Sequence, residues 1–284
     1  MSEKKNILFV MDSLHIGGGE KSLVTLLNIF DYSRYNVDLQ LFGYGGAFEK
    51  YLPREVNLLP RLRILKKLSQ PLYKQFLFPG IIISRLKFAF YRRIRKQNYA
   101  SKAPMYWKNF GKYFEQNWKS YHIAIAYSQG ISTFYVADKI NAKKKVSWIN
   151  VSMFFCGENK NYYRKYYEKL NKIVTVSPTV YSIFANKTFP EINSKFLLIR
   201  DIIDKDMILR MASLENPFYV KDKVNIMTVG RLDKIKGYDL VIQAAEILKE
   251  RKIKFIWTII GEGTERMNME RLIRKLGWKT ILSS

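Results

Sequence analysis

Ile7-Leu8-Phe9-Val10-Met11, then Gly17-Gly18-Gly19-Glu20, then Lys21 to Phe30 is the stretch that decides the fold. Five consecutive apolar residues read as a strand buried on both faces. Lys21 to Phe30 sets Leu23, Leu26, Leu27 and Phe30 along one face of a helix. Strand, glycine loop and helix in succession form the repeating unit of an α/β protein with a parallel sheet. Working outward, further strands are expected at Val37–Phe42, Ile123–Tyr127, Val146–Ile149, Ile173–Val176 and Phe196–Ile199, then at Val224–Val229 and Phe255–Ile260. Tyr121-His122 reads as a polar lead-in to its strand. Tyr238 to Lys249 places Val241, Ala244, Ala245 and Leu248 on one helical face. A domain boundary is expected near Asp204–Asn216, where a helical pattern and Asn216-Pro217 precede the Val224 strand.

The two glycine sites carry the chemical information. Gly18, Gly19 and Glu20 open a helix straight after a strand. Backbone N–H groups and the helix dipole make such a place attractive to an anion, and missing Cβ atoms let a ligand approach. The spacing is neither G-x-G-x-x-G nor a Walker A motif, and a connection without a ligand would look the same. The second site is Val229-Gly230-Arg231-Leu232-Asp233-Lys234-Ile235-Lys236-Gly237-Tyr238-Asp239. Gly230 ends the strand, Arg231 offers a planar fork of donors, and Lys236 offers a compact charge. Both could face one pyrophosphate at the carboxyl end of a sheet, or be two solvated cations. Ile259-Ile260-Gly261-Glu262-Gly263-Thr264-Glu265-Arg266 repeats the strand–glycine–helix pattern.

Composition narrows the class. The 284 residues carry 49 Lys+Arg against 24 Asp+Glu, a net charge of +25, with 48% hydrophobic and 15% aromatic residues. That apolar content excludes wholesale disorder. One cysteine, Cys156 in the aromatic run Met153-Phe154-Phe155-Cys156, excludes a disulfide scaffold; it is expected to be buried and inert. Two histidines, His15 and His122, argue against a histidine metal cluster. No apolar run reaches the length of a membrane span, and the N-terminus does not read as a signal peptide. The charge is concentrated: residues 61–120 hold fifteen basic residues and one acid, Glu115, whereas residues 1–60 hold six basic and seven acidic. Phe76, Phe78, Phe88, Phe90, Tyr91, Tyr106, Trp107 and Trp118 are interleaved with those cations. Such a segment suits an anionic membrane surface. A solvated basic face over an ordinary core and a nucleic-acid surface share the composition, but no nucleic-acid motif is present and no nucleic-acid partner is expected.

The whole arrangement resembles the retaining glycosyltransferases of family 4, which have the two-domain GT-B fold. The resemblance runs from Gly18-Gly19-Glu20 through Lys145–Ile149, Ile173–Ser177 and Leu198–Asp204 to Gly230-Arg231, Lys236-Gly237 and Gly261-Glu262-Gly263. It implies a GT-B-like α/β fold with two Rossmann-like domains. Residues 1–204 would form the acceptor-side domain with a basic insertion at about 61–120, and 205–284 a partial nucleotide-sugar-binding domain. It implies hexosyl transfer with retention from a UDP- or GDP-sugar to a lipid-linked or polysaccharide acceptor in surface glycan (capsule) synthesis. No cofactor and no metal would be required. Arg231 and Lys236 would bind the donor diphosphate, Gly18, Gly19 and Glu20 would line the cleft, and Gly230, Gly261, Glu262 and Gly263 would form donor-side loops. The implied location is cytoplasmic, peripheral at the inner face of the plasma membrane.

Departures accompany the matches. Many relatives carry a histidine where this chain has Asn150, and often Asn where it has Asp201. The Glu-x7-Glu stretch of the family is missing, and the second domain shows two clear strands, so a truncated member is expected. The alternative is an inactive remnant that binds membrane or acceptor only. Asp204-Lys205-Asp206 spells the metal motif of another glycosyltransferase fold but reads as a structural turn. Asp12, Glu20 or His15 could touch a ligand beside the glycine loop, His15 being more simply a surface residue. No catalytic residue is assigned.

Overall fold

The computed structural model describes residues 3–71, 79–94, 99–150, 157–205, 208–209, 213, 219–277 and 282–283. Phe76, Phe78, Cys156 with its aromatic run, Asp206 and Asn216-Pro217 lie outside the described residues. The chain divides into two compact units, Met1–Asp204 and Lys205–Ser284.

The first unit is built on seven parallel strands: β1 (Lys5–Met11), β2 (Tyr35–Leu41), β3 (Val56–Leu58), β4 (Asn117–Ala126), β5 (Ile140–Ile149), β6 (Lys172–Thr175) and β7 (Phe196–Leu198). Their order is β3-β2-β1-β4-β5-β6-β7. Order reverses between β1 and β4, and the carboxyl ends of strands at such a switch point form the usual ligand crevice. Along β1 the side chains alternate between two cores. Leu8 and Val10 enter one, with Phe134, Tyr163 and Tyr167. Ile7, Phe9 and Met11 enter the other, with Leu23 and Leu27 of α1 (Gly18–Asn28) and Leu39 of β2. Burial of both alternating sets is why the strand reads as an unbroken apolar run.

β4 and β5, ten residues each, run far beyond their expected lengths. β4 begins at Asn117, and Tyr121-His122 lies inside it rather than before it. His122 Nδ1 accepts from the Asn6 backbone N–H at 3.0 Å. Tyr121, 1% exposed, donates to Asp38 Oδ2 at 2.7 Å. Asp38 also takes Lys119 Nζ at 2.8 Å and Asn57 Nδ2 at 2.9 Å. Burial disfavours the Asp38 carboxylate, but the hydrogen bonds from Lys119, Tyr121 and Asn57 outweigh it and hold its pKa below the ordinary value.

The basic region forms α2 (Arg63–Leu68), α3 (Pro79–Ile94) and α4 (Tyr99–Phe110). The structure separates the aromatics that the sequence grouped on one basic surface. Trp107 is buried in the core beside Phe110 and Phe114, which the sequence had not grouped, and Phe88 and Tyr106 pack against it. Phe90, Tyr91 and Trp118 are exposed. Aromatic residues on an amphipathic helix face either way, and only tertiary packing decides which. Asp138, on α5 (Ile131–Lys139), fastens α4 to the unit. It accepts from Trp107 Nε1 at 3.2 Å, from Tyr166 OH at 3.1 Å on α6 (Gly157–Glu168), and from Lys169 Nζ at 2.6 Å.

The second unit has a three-stranded parallel sheet of order β10-β9-β8, made of β8 (Val224–Val229), β9 (Phe255–Ile260) and β10 (Leu282–Ser283). The sequence suggested two strands. The third is two residues long and pairs with Ile259 and Ile260, too short to stand out as an apolar run. After α7 (Pro178–Tyr181) of the first unit, α8 (Tyr238–Glu250) and α9 (Arg266–Lys275) accompany the sheet of the second. Leu232, Tyr238, Ile259 and Met269 form its small core, while Val224, Met227 and Val229 of β8 remain exposed.

Candidate functional site

At the carboxyl end of β1 the chain passes through Asp12 and His15 into the glycine triplet. α1 starts at Gly18, with Gly17 as its cap residue and no side chain capping it. The first amides of a helix lack intrahelical partners and attract negative charge. Glu20 lies in the same first turn, and its carboxylate occupies the space where a Cβ on Gly17 would sit. Gly19 leaves room for Asn150, since a Cβ there would stand 2.8 Å from Asn150 Nδ2. His15 and Ile16 are exposed beside the triplet, Ile16 at 83%.

Asn150, after β5, donates Nδ2 to the Tyr127 carbonyl at 2.8 Å and its backbone N–H to Gln129 Oε1 at 3.1 Å. Its Oδ1 is buried without a partner among the described residues. Tyr127 stacks on Trp148, ring centroids 4.9 Å apart, and its hydroxyl meets Ser22 Oγ of α1 at 2.9 Å. Ser22 Oγ also donates to Asp201 Oδ1 at 2.6 Å. Asp201, the second departure from the family pattern, thus ties the segment after β7 to α1. Asp12 accepts from Ser132 Oγ at 2.9 Å, and Ser128 Oγ donates to Ser132 Oγ at 2.9 Å. Surrounding protein raises the Asp12 pKa to about 6, the serine hydroxyls oppose the rise and Glu20 adds to it. The residue keeps an exposed side, so water screens part of this crowding. Sequence reading missed Ser22, Tyr127, Gln129 and Ser132. They come from two segments about a hundred residues apart, α1 and the turn from β4 into α5, and no local spacing announces their convergence.

In the second unit Gly230 ends β8 and begins the loop carrying Arg231 and Lys236. The Gly230 N–H donates to the Ile260 carbonyl at 3.0 Å, and the Leu232 N–H to the Glu262 carbonyl at 2.8 Å. Tyr238 OH at the start of α8 donates to the Gly230 carbonyl at 2.8 Å. Gly261 and Gly263 have φ of +154° and +157°, and a Cβ on either would run into the Gly230 or the Leu232 carbonyl. Glycine is therefore required where the two loops lie against each other. Glu262, expected on a donor-side loop, pairs with Arg266 of α9.

The side chains of this loop are available to a ligand. Arg231 is 69% exposed and sits 3.3 Å from Asp233 Oδ2. An exposed pair of this kind contributes at most about 1 kcal/mol, so the guanidinium can exchange partners. Lys236 is exposed and forms no ion pair among the described residues. Gly237, with φ +67°, turns the chain into α8. The structure thus brings Gly230, Arg231, Gly261, Glu262 and Gly263 into one pair of apposed loops, with Lys236 on the same connection. Among the described residues, no three His, Cys, Asp or Glu side chains gather as a metal site.

Residues 215–281 match the family model "Glycosyl transferases group 1". This segment contains both cations and all the glycines of the second site. A search of curated proteins returned no match. Solved structures resemble nearly the whole chain. One is TarM of S. aureus, a mutant in complex with fondaparinux, α-GlcNAc-glycerol and UDP: TM-score 0.56, 11% identity, covering 98% of this chain and 76% of that one. Another is a glycosyltransferase of Rickettsia africae: TM-score 0.53, 13% identity, covering 99% and 68%. A third is a trehalose-6-phosphate structure from E. coli bound with UDP-2-fluoro glucose: TM-score 0.54, 15% identity, covering 98% and 72%. The chain therefore has the α/β fold of the GT-B glycosyltransferases. Its second unit contains the segment that matches the glycosyl transferases group 1 model.

Proposed function

We propose that this protein is a retaining glycosyltransferase, moving a sugar from a UDP- or GDP-sugar to a lipid-linked or polysaccharide acceptor in surface glycan synthesis. The observation that carries the reading is the Gly230–Lys236 loop. Two exposed cations stand on a backbone braced by Gly261 and Gly263, inside the segment that matches the glycosyl transferases group 1 model. Arg231 and Lys236 would hold the donor diphosphate and neutralise the charge that grows on the departing nucleoside diphosphate, a role that needs no proton transfer. On the first unit, the uncapped amides at Gly18 and Gly19 would take a second anionic group. Asp12 and Glu20 would meet acceptor hydroxyls there. The basic stretch 61–120 would hold the protein at the anionic inner face of the plasma membrane.

Titration with UDP and GDP, followed by transfer from labelled UDP- and GDP-sugars to membrane lipid extracts, tests this reading. The expected result is nucleotide binding that Arg231→Ala weakens sharply, and a product with the donor's anomeric configuration. An inverted product would overturn retention. Absence of nucleotide binding at millimolar concentration would overturn the enzyme and leave the inactive binder.

A further inference from the structure

α3 has two unlike faces. Ile81 and Ser84 are buried, at 4% and 7% exposure, and Phe88 packs against the core. Opposite them, Ile83, Leu86 and Phe90 are 51%, 58% and 63% exposed. At about 100° per residue these three fall within roughly 60° of arc, with Arg93 beyond Leu86 on one side and Lys87 beyond Ile83 on the other. Both cations are exposed and form no ion pair among the described residues. An apolar ridge edged by cations is the pattern of a helix lying in a membrane interface, its long basic side chains reaching the headgroups. α3 has 16 residues, and no helix among the described residues is long and apolar enough to cross a membrane.

Behind the ridge, between α2, α3 and α4, lies an open groove of about 680 Å³, lined in part by Leu68, Arg85, Phe88, Arg93, Tyr106 and Phe110. Its floor is aromatic: Phe88 stands edge-on to Tyr106 and Phe110 at 5.8 and 5.5 Å. Arg85 is oriented by donating to the Gln70 carbonyl at 2.8 Å. Glu115, the only acid between 61 and 120, has one oxygen engaged by the Ile64 N–H and the other buried. It lines a separate groove with Arg63 and Lys67. The Arg85–Arg93 groove thus has no carboxylate among its described lining residues.

We infer that α3 and this groove form a docking surface for an anionic phospholipid bilayer. The Ile83–Leu86–Phe90 ridge enters the acyl boundary, and Arg85 and Arg93 take lipid phosphate at the headgroup level. The inference rests on the membrane part of the proposed function and is independent of sugar transfer.

The test is sedimentation of the full chain with vesicles of phosphatidylcholine alone or with one third phosphatidylglycerol, at physiological salt. Wild type is expected to bind only the anionic vesicles. Arg85→Ala with Arg93→Ala should lower the partition coefficient about 25-fold, roughly fivefold for each cation near the surface. Leu86→Ser with Phe90→Ser should lower it at least tenfold. These two residues are exposed, so an unchanged thermal melt will confirm that the fold is kept. No binding by wild type would overturn both the membrane reading and this surface. Binding unaffected by either pair would overturn this surface alone. Loss with the arginine pair but not with the ridge pair would overturn insertion, and equal affinity for duplex DNA would overturn the lipid as occupant.

Discussion

Replacing Gly261 by alanine tests the geometry beneath the proposed donor site without touching a charged group. A Cβ at Gly261 would fall against the Gly230 carbonyl, well inside 3.0 Å of its oxygen and 2.9 Å from its carbon, and φ there is +154°. No side chain can swing away, because the obstruction is backbone. Relief requires the two loops to part by about 1 Å, the order of overlap that van der Waals contact forbids. The bonds that join them, Gly230 N–H to Ile260 at 3.0 Å and Leu232 N–H to Glu262 at 2.8 Å, would then exceed the hydrogen-bond limit. Two lost bonds near the buried Leu232 cost about 2–4 kcal/mol. A second unit with so small a core would feel that strongly. If the loop yields instead of unfolding, Arg231 moves with it and loses a charge-assisted contact worth about 10–100-fold in affinity. The assay is calorimetric titration with UDP and GDP, accompanied by a two-transition melt. The expected outcome is nucleotide affinity reduced about 10–100-fold while the transition of the first unit stays in place. Wild-type affinity in Gly261→Ala would refute the claim that loop apposition positions Arg231.

Three further outcomes are expected. Arg231→Ala should weaken nucleotide binding by about 10–100-fold, the worth of a charge-assisted contact, leaving the melt unchanged; full affinity by titration would remove Arg231 from the site. Asp38→Ala leaves Lys119, Tyr121 and Asn57 without their acceptor and should destabilise the first unit by about 3 kcal/mol, lowering its Tm by roughly 6–12 °C. Because the folded pKa of Asp38 is depressed, its contribution is present above the ordinary carboxylate value and fades as pH falls through the folded one, so wild type and variant melts should converge in acid. Asp12 has the opposite sign: its folded pKa is raised to about 6, so ionising it costs stability as pH rises from about 4 through 6. Asp12→Asn keeps an acceptor for Ser132 and should raise Tm at pH 8 more than at pH 4.5; an equal gain at both would show that the carboxylate is not crowded.

Much of the scaffold was legible because strands buried on both faces are written as apolar runs. Val224–Val229 and Phe255–Ile260 occur as read. The shortfalls share a cause. β4 and β5 extend backwards through Asn117–Ser120 and Asn141–Lys145, pairing with each other where side chains are mostly exposed. An apolar-run criterion stops where burial on both faces stops, although the ladder continues. Val56–Leu58 and Leu282–Ser283 are too short to show a period. At the site, Arg231 and Lys236 were visible because charge and glycine spacing lie within one loop. The need for glycine at 261 and 263 was not, since it arises from a backbone 31 residues away. Nor could spacing reveal that Asp12 leans on Ser132, or that Asn150 is held by Tyr127 and Gln129.

The basic insertion shows how far composition can be pressed. Its charge excess is a property of the sequence, but a charge excess alone does not tell a tethered arm from a rigid surface. Trp107 is 4% exposed and donates to Asp138, which also takes Tyr166 and Lys169. Burial disfavours the Asp138 carboxylate, yet the bonds from Lys169 and Trp107 prevail and its pKa is lowered. A carboxylate held by three donors from two other segments fixes α4 to α5 and α6, and Phe88 against Tyr106 and Phe110 fixes α3 to α4. The cations and the exposed ridge of α3 are therefore presented at a set angle to the sheet whose carboxyl ends carry Asp12, Gly18 and Asn150. If that ridge meets a bilayer, the contact orients the first unit as well as tethering it. Loosening the fastening should then separate the two effects: Asp138→Asn, which weakens the pairing to Lys169, would preserve vesicle binding while lowering transfer to a lipid-borne acceptor more than transfer to a soluble one. Equal losses on both acceptors would show that the insertion acts as a tether only.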